Sequence, residues 1–399
     1  MSAPLRRAAG AALVLAAGLL AGCGDAYPPP LLASNAPPEV RVRLGSPRSA
    51  GDLRIRGSLW EIASVAGRAY SLREGQDLAV VLTVGASGIA VRGRDTGATV
   101  LRVRPGGLFT LDGTLYPGTL VVRREGSLLV FVNEVDLETY VAGVIPNECA
   151  PAAEPATHRA QAVTARTYAY ARLLEPEAEG AAWHLRDGES AQVYKGFTIA
   201  PTFGATAEDV LRRAAETRGV VLTWQSRPFP AYYSSTCGGH TTDPATSRLD
   251  PAGATDPLRG VPCPFCTTSK YHRWTREVGD ADLVAGMKRM GYPVVEPLQK
   301  IEVTDRGRGD WAREVTVAYG PQGKTRTVPG VDFRSALGLP SHKILSIVRV
   351  PGGWSVDGAG WGHGVGMCQW GTLEMGRRGF SETDMLRYYY PGASFTRVY

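Results

Sequence analysis

Leu137-Glu-Thr-Tyr-Val-Ala-Gly-Val-Ile-Pro-Asn-Glu148 is the stretch on which the reading of this chain turns. Leu137, Tyr140, Val141 and Val144 fall at i, i+3, i+4 and i+7, the spacing of one buried face on an α-helix, and Asp136 stands where a side chain caps the first turn. Pro146 is expected to stop that helix, because it has no amide hydrogen to donate. A longer helix is expected to begin at Glu154-Pro155, a good N-terminal pair. Its face carries Ala156, Ala160, Val163, Thr167, Ala171 and Leu174, mostly small side chains that let another backbone come close. Glu148 then falls in the connection between two helices, where a carboxyl can be presented rather than buried.

Upstream of Asn133 the period is that of strands. Val40 to Leu44 and Leu101 to Arg104 alternate, while Leu120-Val-Val122 and Leu128-Leu-Val-Phe131 are short continuous apolar runs. Glycine-containing turns at Gly85, Gly88, Gly97, Gly106-Gly107 and Gly113 punctuate them. Downstream, Val220 to Ser235 reads as strand. A stretch of about 273–350 reads as an α+β insertion, with Asp280 to Met290 helical and with Ile301 to Thr304 and Glu314 to Tyr319 alternating. The end, from Gly353 to Tyr399, is glycine-rich and then helical around Glu382 to Tyr390. The expected class is α+β: a β-rich N-terminal domain over 39–131, then a domain over 132–399 that the insertion interrupts.

The first residues set the compartment. Arg6 and Arg7 precede a short uncharged apolar run, Ala8 to Leu20, which is too short to span a bilayer and has the flanks of an export signal. It closes on Leu20-Ala21-Gly22-Cys23, small residues before a cysteine, which is what a lipoprotein signal peptidase reads. Residues 1–23 are therefore read as a lipoprotein signal with Cys23 as the lipidated residue, and 24–38, with Pro28-Pro29-Pro30 and Pro37-Pro38, as an extended tether. Attachment to the membrane is expected through lipid alone, and the rest of the chain is expected to lie in the cell envelope outside the cytoplasm. About 360 residues remain, enough for two domains. The formal net charge of +6 suits an anionic envelope polymer, and the absence of a long basic block interleaved with aromatics argues against nucleic acid.

Cys237-Gly-Gly-His240 and Cys263-Pro-Phe-Cys266 are two knuckles of the kind that hold a tetrahedral structural zinc with a Cys3His set. Disulfides are the rival reading, since export favours oxidation. A Cys263–Cys266 bridge would be short, and a bridge from Cys237 to either leaves an odd thiol.

Several segments, taken in order, resemble the SpoIID/LytB family. They are the 137–148 stretch, Arg159-Ala-Gln-Ala-Val-Thr-Ala-Arg-Thr-Tyr-Ala169, Tyr233-Ser-Ser-Thr-Cys-Gly-Gly239 and Gly360-Trp-Gly-His-Gly-Val-Gly-Met-Cys-Gln-Trp-Gly371. Tyr388-Tyr-Tyr-Pro-Gly392 closes the set. The resemblance implies a SpoIID-like catalytic domain from about Asn133 to Tyr399, acting as a peptidoglycan lytic transglycosylase on MurNAc–GlcNAc strands already stripped of stem peptides. Glu148 matches the family's catalytic acid. Chemistry allows one carboxyl to do this work: it protonates the leaving oxygen, then accepts the proton of the sugar's own C6 hydroxyl as a 1,6-anhydro end forms. Residues 140 to 150 hold no other acid.

The resemblance also places Arg166 and Tyr194, of Ser190-Ala-Gln-Val-Tyr194, along the substrate cleft, with His363 and Gln369 in its glycine-rich wall. Arg166 would meet the lactyl carboxylate of MurNAc or instead orient Glu148; Trp361 and Trp370 are read as sugar platforms or as core. No cofactor is expected for catalysis. The zinc site that some members carry near Ser190 is not expected here, since His184 is present but Arg186 to Tyr194 has no cysteine. A disulfide between Cys149 and Cys368 would pin the cleft, whereas Cys149 as a nucleophile paired with His363 would suggest an amidase or transpeptidase. The competing function is that of the LytB branch: a non-catalytic, glycan-binding enhancer of a separate cell-wall amidase, in which Glu148 is only a contact.

Overall fold

The computed structural model describes residues 36–56, 60–149, 153–175, 180–197, 207–249 and 256–399. The stretch read as an export signal, with Cys23, lies outside the described residues, as does most of the stretch read as a tether. From Glu39 to Asp136 the chain is built of strands in two sheets. One runs, in spatial order, through Glu39–Arg43, Leu128–Asp136, Thr119–Glu125, Ala98–Arg104, Trp60–Gly67 and Ser71–Glu74. The other is centred on Ala50–Ile55 and Leu78–Val84. Alternation does what it predicts: Leu78, Val80 and Leu82 point inward while Ala79 and Val81 are exposed. The sheets meet closely at Gly51, where a Cβ would come within 2.5 Å of the Phe131 ring.

Leu128–Asp136 continues directly into the first helix, α1 (Leu137–Glu148), whose N-terminal amides at Glu138 and Thr139 are capped by Asp136 Oδ1 at 3.1 and 3.0 Å. Leu137, Tyr140, Val141 and Val144 are fully buried, as the periodicity requires. Pro146 does not end the helix, contrary to expectation. It falls in the last turn, where its missing donor orphans only the Ala142 carbonyl; the adjacent Gly143 carbonyl accepts from the Asn147 side chain at 2.9 Å. Glu148 is consequently the last residue of α1 rather than part of a loop.

The second helix, α2 (Pro155–Leu173), opens at Glu154-Pro155 and runs through the middle of the molecule with most of its residues buried. Packed around it are α1, α3 (Ala207–Ala215) and a small sheet in which Val220–Trp224 pairs with Ser394–Arg397. Apolar residues from the N-terminal sheets and from the α2 region form one continuous core. The two-residue strand Leu185–Arg186 adds in parallel to Glu39–Arg43, so a segment after α2 extends the first sheet.

Residues between Trp274 and Gly358 form a second body with its own core, including Met287, Val317, Phe333 and Val356. It comprises α4 (Asp280–Arg289), a three-stranded meander over Leu298–Pro329, α5 (Gly330–Leu337) and a second three-stranded sheet. Trp311 connects the bodies: fully buried, it donates from Nε1 to the His240 carbonyl at 2.9 Å and packs where a Cβ on Gly364 would be 2.1 Å away. The chain then returns through the glycine-rich segment, whose Met367–Cys368 pairs in parallel with Tyr233–Ser234, into α6 (Gln369–Arg377) and α7 (Glu382–Tyr389).

Candidate functional site

At the end of α1 the Glu148 carboxyl meets polar groups from three other segments. Its Oε1 accepts a hydrogen bond from the Val193 N–H at 2.7 Å. Nε2 of Gln369, the first residue of α6, donates to the Glu148 carbonyl at 2.7 Å and lies 3.4 Å from Oε2. The Tyr233 hydroxyl shares a further hydrogen bond with the carboxyl. Gln192 ties this group together: its Oε1 accepts from the Tyr140 hydroxyl at 3.1 Å, and its Nε2 donates to the Tyr233 hydroxyl at 3.2 Å.

Half-burial raises the pKa of Glu148 above the ordinary glutamate value. The donors from Val193, Gln369 and Tyr233 pull the other way, and the charge of Glu189 adds to the rise. The C-terminal end of a helix carries the negative end of its dipole, which also disfavours a carboxylate there. The result is a carboxyl that keeps its proton toward higher pH than an exposed one.

His363 is close by in the fold but occupied. Its Nδ1 accepts from the Val365 N–H at 3.0 Å, its ring hydrogen-bonds to the Tyr233 backbone, and burial pushes its pKa down to about 4. At neutral pH it is an uncharged brace for the strand pair of Tyr233–Ser234 and Met367–Cys368, which leads into Gln369. Trp361 is 39% exposed and stands 4.2 Å, centroid to centroid, from the Tyr271 ring. Next to Gln192 an open pocket of about 330 Å³ is lined by Tyr168, Arg172, Trp183, His184, Arg186 and Ser190 among others. His184 faces the Arg41 guanidinium, with Nη2 at 2.7 Å from its Nε2, and burial lowers its pKa to about 4.

Three expected site residues sit elsewhere. Arg166 is fully buried and forms a two-pronged pair with Glu138, Nε to Oε1 at 2.9 Å and Nη2 to Oε2 at 2.7 Å. It therefore neither reaches a sugar carboxylate nor orients Glu148. Tyr194 is also fully buried; its hydroxyl donates to Asn133 Oδ1 at 2.7 Å, and its ring lies against Gly143 and Tyr140. It braces α1 on the first sheet instead of lining a cleft. His240 does not join the neighbouring cysteines: its Nδ1 lies 2.6 Å from the Thr241 carbonyl and its ring packs on Gly309. The sulfurs that do meet are those of Cys237, Cys263, Cys266 and Cys368.

Cys368 faces that group, so it does not pair with Cys149, and both are free thiols. Burial, with help from Glu148, pushes the Cys149 thiol up to about 12, which runs against its use as a nucleophile. Arg159 pairs with Glu216 and Glu382, not with Glu148. Gln192, the Val193 amide and Tyr233 are not singled out by the sequence. All three lie in segments already marked by the motifs, but nothing in their spacing announces that they meet Glu148.

A family model described as SpoIID, stage II sporulation protein, matches residues 125–224, the span that holds α1, α2, Gln192 and Val193. An uncharacterized protein of Brachyspira hyodysenteriae is 30% identical over 288 residues, covering 71% of this chain and 73% of that protein. The chain belongs to the SpoIID family. Similarity to SpoIID members with functional names extends to stage II sporulation protein D of Bacillus subtilis, 27% identical over 274 residues that cover 67% of this chain and 76% of that protein. The chain is also similar to the amidase enhancer of Bacillus subtilis, 22% identical over 64% of this chain and 40% of that longer protein. SpoIID membership gives the chain a role related to the cell wall. Among the described residues no helix is long and apolar enough to cross a membrane.

Proposed function

We propose that this chain is a peptidoglycan lytic transglycosylase in which Glu148 serves first as general acid and then as general base. The observation that carries the reading is the Glu148 carboxyl itself, half-buried at a helix C-terminus with its pKa raised and its oxygens fixed by Val193 and Gln369. A protonated carboxyl of this kind donates to the glycosidic oxygen as the C1–O bond breaks. The carboxylate left behind takes the proton of the MurNAc C6 hydroxyl as that oxygen bonds to C1, closing a 1,6-anhydro ring without consuming water. Tyr233 and Gln369 keep the oxygens in place through both steps. The neighbouring pocket supplies an aromatic face in Trp183 and positive charge in Arg186, with Arg172 held by Glu175 of the same pocket, which suits a sugar bearing a lactyl carboxylate. The proposal places the protein outside the cytoplasm, held to a membrane by lipid on Cys23, with peptide-stripped glycan strands as substrate.

A second reading follows from the similarity to an amidase enhancer: the same pocket binds glycan and delivers it to a separate amidase, with no bond broken here. Mass spectrometry of glycan strands, with and without stem peptides, after treatment with the purified chain separates the two. Anhydro-muramyl ends that vanish with Glu148→Gln support the transglycosylase. Reducing ends would make it a hydrolase and turn attention to Glu189, the exposed carboxylate whose charge already acts on Glu148. Intact strands that nevertheless bind would favour the enhancer.

A further inference from the structure

Cys237, Cys263 with Cys266, and Cys368 come from three separate parts of the chain and meet beside the glycine-rich segment. Their four sulfurs lie within 4.8 Å of one another, and all four side chains are buried free thiols. Cys237 and Cys266 are 3.7 Å apart, sulfur to sulfur. Zinc–thiolate bonds of about 2.3 Å set the sulfurs of a tetrahedral site about 3.8 Å apart, whereas a disulfide needs about 2.05 Å. From this packing we infer that Cys237, Cys263, Cys266 and Cys368 bind one zinc ion as a tetrathiolate.

Donors around the sulfurs suit that charge. The N–H groups of Cys237 and Gly371 point at the Cys368 sulfur at 3.3 and 3.4 Å. The Tyr389 hydroxyl lies 3.2 Å from Cys263 and His272 Nδ1 lies 3.5 Å from Cys266. Lys343, itself buried, donates to the Cys237 and Gly238 carbonyls at 3.3 and 3.1 Å, which puts a positive charge beside a site whose net charge is two negative. Loading replaces four S–H protons by one Zn²⁺ and releases the protons to solvent. Zinc is redox-inert and its closed four-sulfur shell leaves no position for substrate, so its work is structural.

What it holds is the start of α6. Cys368 is the N-cap of that helix, and the next residue is Gln369, whose amide fixes Glu148. The consequence for Glu148 rests on the function proposed above; the metal assignment does not.

Elemental analysis of the purified chain, combined with thiol titration, tests the site. One zinc per chain is expected, displaced in step with four thiols by a mercurial, and exchange for cobalt should give the visible bands of a tetrahedral cobalt thiolate. Cys368→Ser should lose most of the zinc, while His240→Ala should keep it all, so a Cys368 variant that fails to fold still leaves a decisive arm. Metal-free protein four hydrogens lighter than its sequence mass would reveal two disulfides and overturn the inference. Iron in place of zinc, or zinc lost with His240→Ala, would overturn it as well.

Discussion

An exposed glutamate is ionised at pH 7, and Glu148 is drawn away from that state by burial, by the end of α1 and by the charge of Glu189. Its folded pKa lies above the unfolded value of about 4.3. Between those two values the folded chain binds more protons than the unfolded one, so stability falls as pH rises through the window. Glu148→Gln removes that titration and keeps an acceptor for the Val193 amide. The variant should therefore match the wild type near pH 4 and be the more stable of the two at pH 7, read as a higher Tm in calorimetry across pH. A Tm at pH 7 equal to or below that of the wild type would contradict the raised pKa. Cleavage by the wild type should decline on the alkaline side as Glu148 loses its proton. Glu148 was legible in the sequence because a motif marks it. Arg166 and Tyr194 were marked as well, but their true partners, Glu138 and Asn133, are distant in sequence and gave no local signal of a buried pair.

Periodicity located α1 and α2 because each buries one or more faces that recur every turn, and the Glu154-Pro155 start of α2 was equally plain. The end of α1 was not, since the cost of an interior proline depends on where it falls: in the last turn Pro146 withholds one donor, from the Ala142 carbonyl, and no later turn follows for it to disrupt. The two helices are clamped by Arg166 on α2 and Glu138 on α1, and Glu138 also accepts from the Gly219 amide at 2.9 Å and the Tyr399 hydroxyl at 2.6 Å. Removing one partner of a buried pair strands the other charge, which costs about 3–5 kcal/mol. Arg166→Ala should lose that much in urea unfolding while its glycan affinity, measured on the fraction still folded, stays near that of the wild type. A selective loss of affinity at unchanged stability would return Arg166 to the substrate cleft.

At the scale of the molecule, the insertion meets the glycine-rich segment through Trp311, which fills the space left by Gly364. Trp311→Ala should cost about 3–5 kcal/mol and slow cleavage by loosening the segment that leads to Gln369; unchanged unfolding and unchanged rate would show that the two bodies stand independently. The α+β class could be read from alternating and helical periods, but the shared core of the N-terminal sheets with α2 could not, because strand segments carry no label of what their outer neighbours are. Of the cysteine grouping all but one member was legible: local spacing exposed Cys237, Cys263 and Cys266, yet it favoured His240 over Cys368, which reaches them from across the insertion. The insertion's first and last strands pair, Trp274 opposite Gly358, so its ends are held side by side. Once that body has folded, the route from Cys266 to Cys368 shortens from roughly 100 residues to roughly 20, which lowers the loop-closure entropy by about 1.5 kcal/mol. The insertion thereby acts as a clasp during folding, gathering the two halves of the site before any contact within the site has formed.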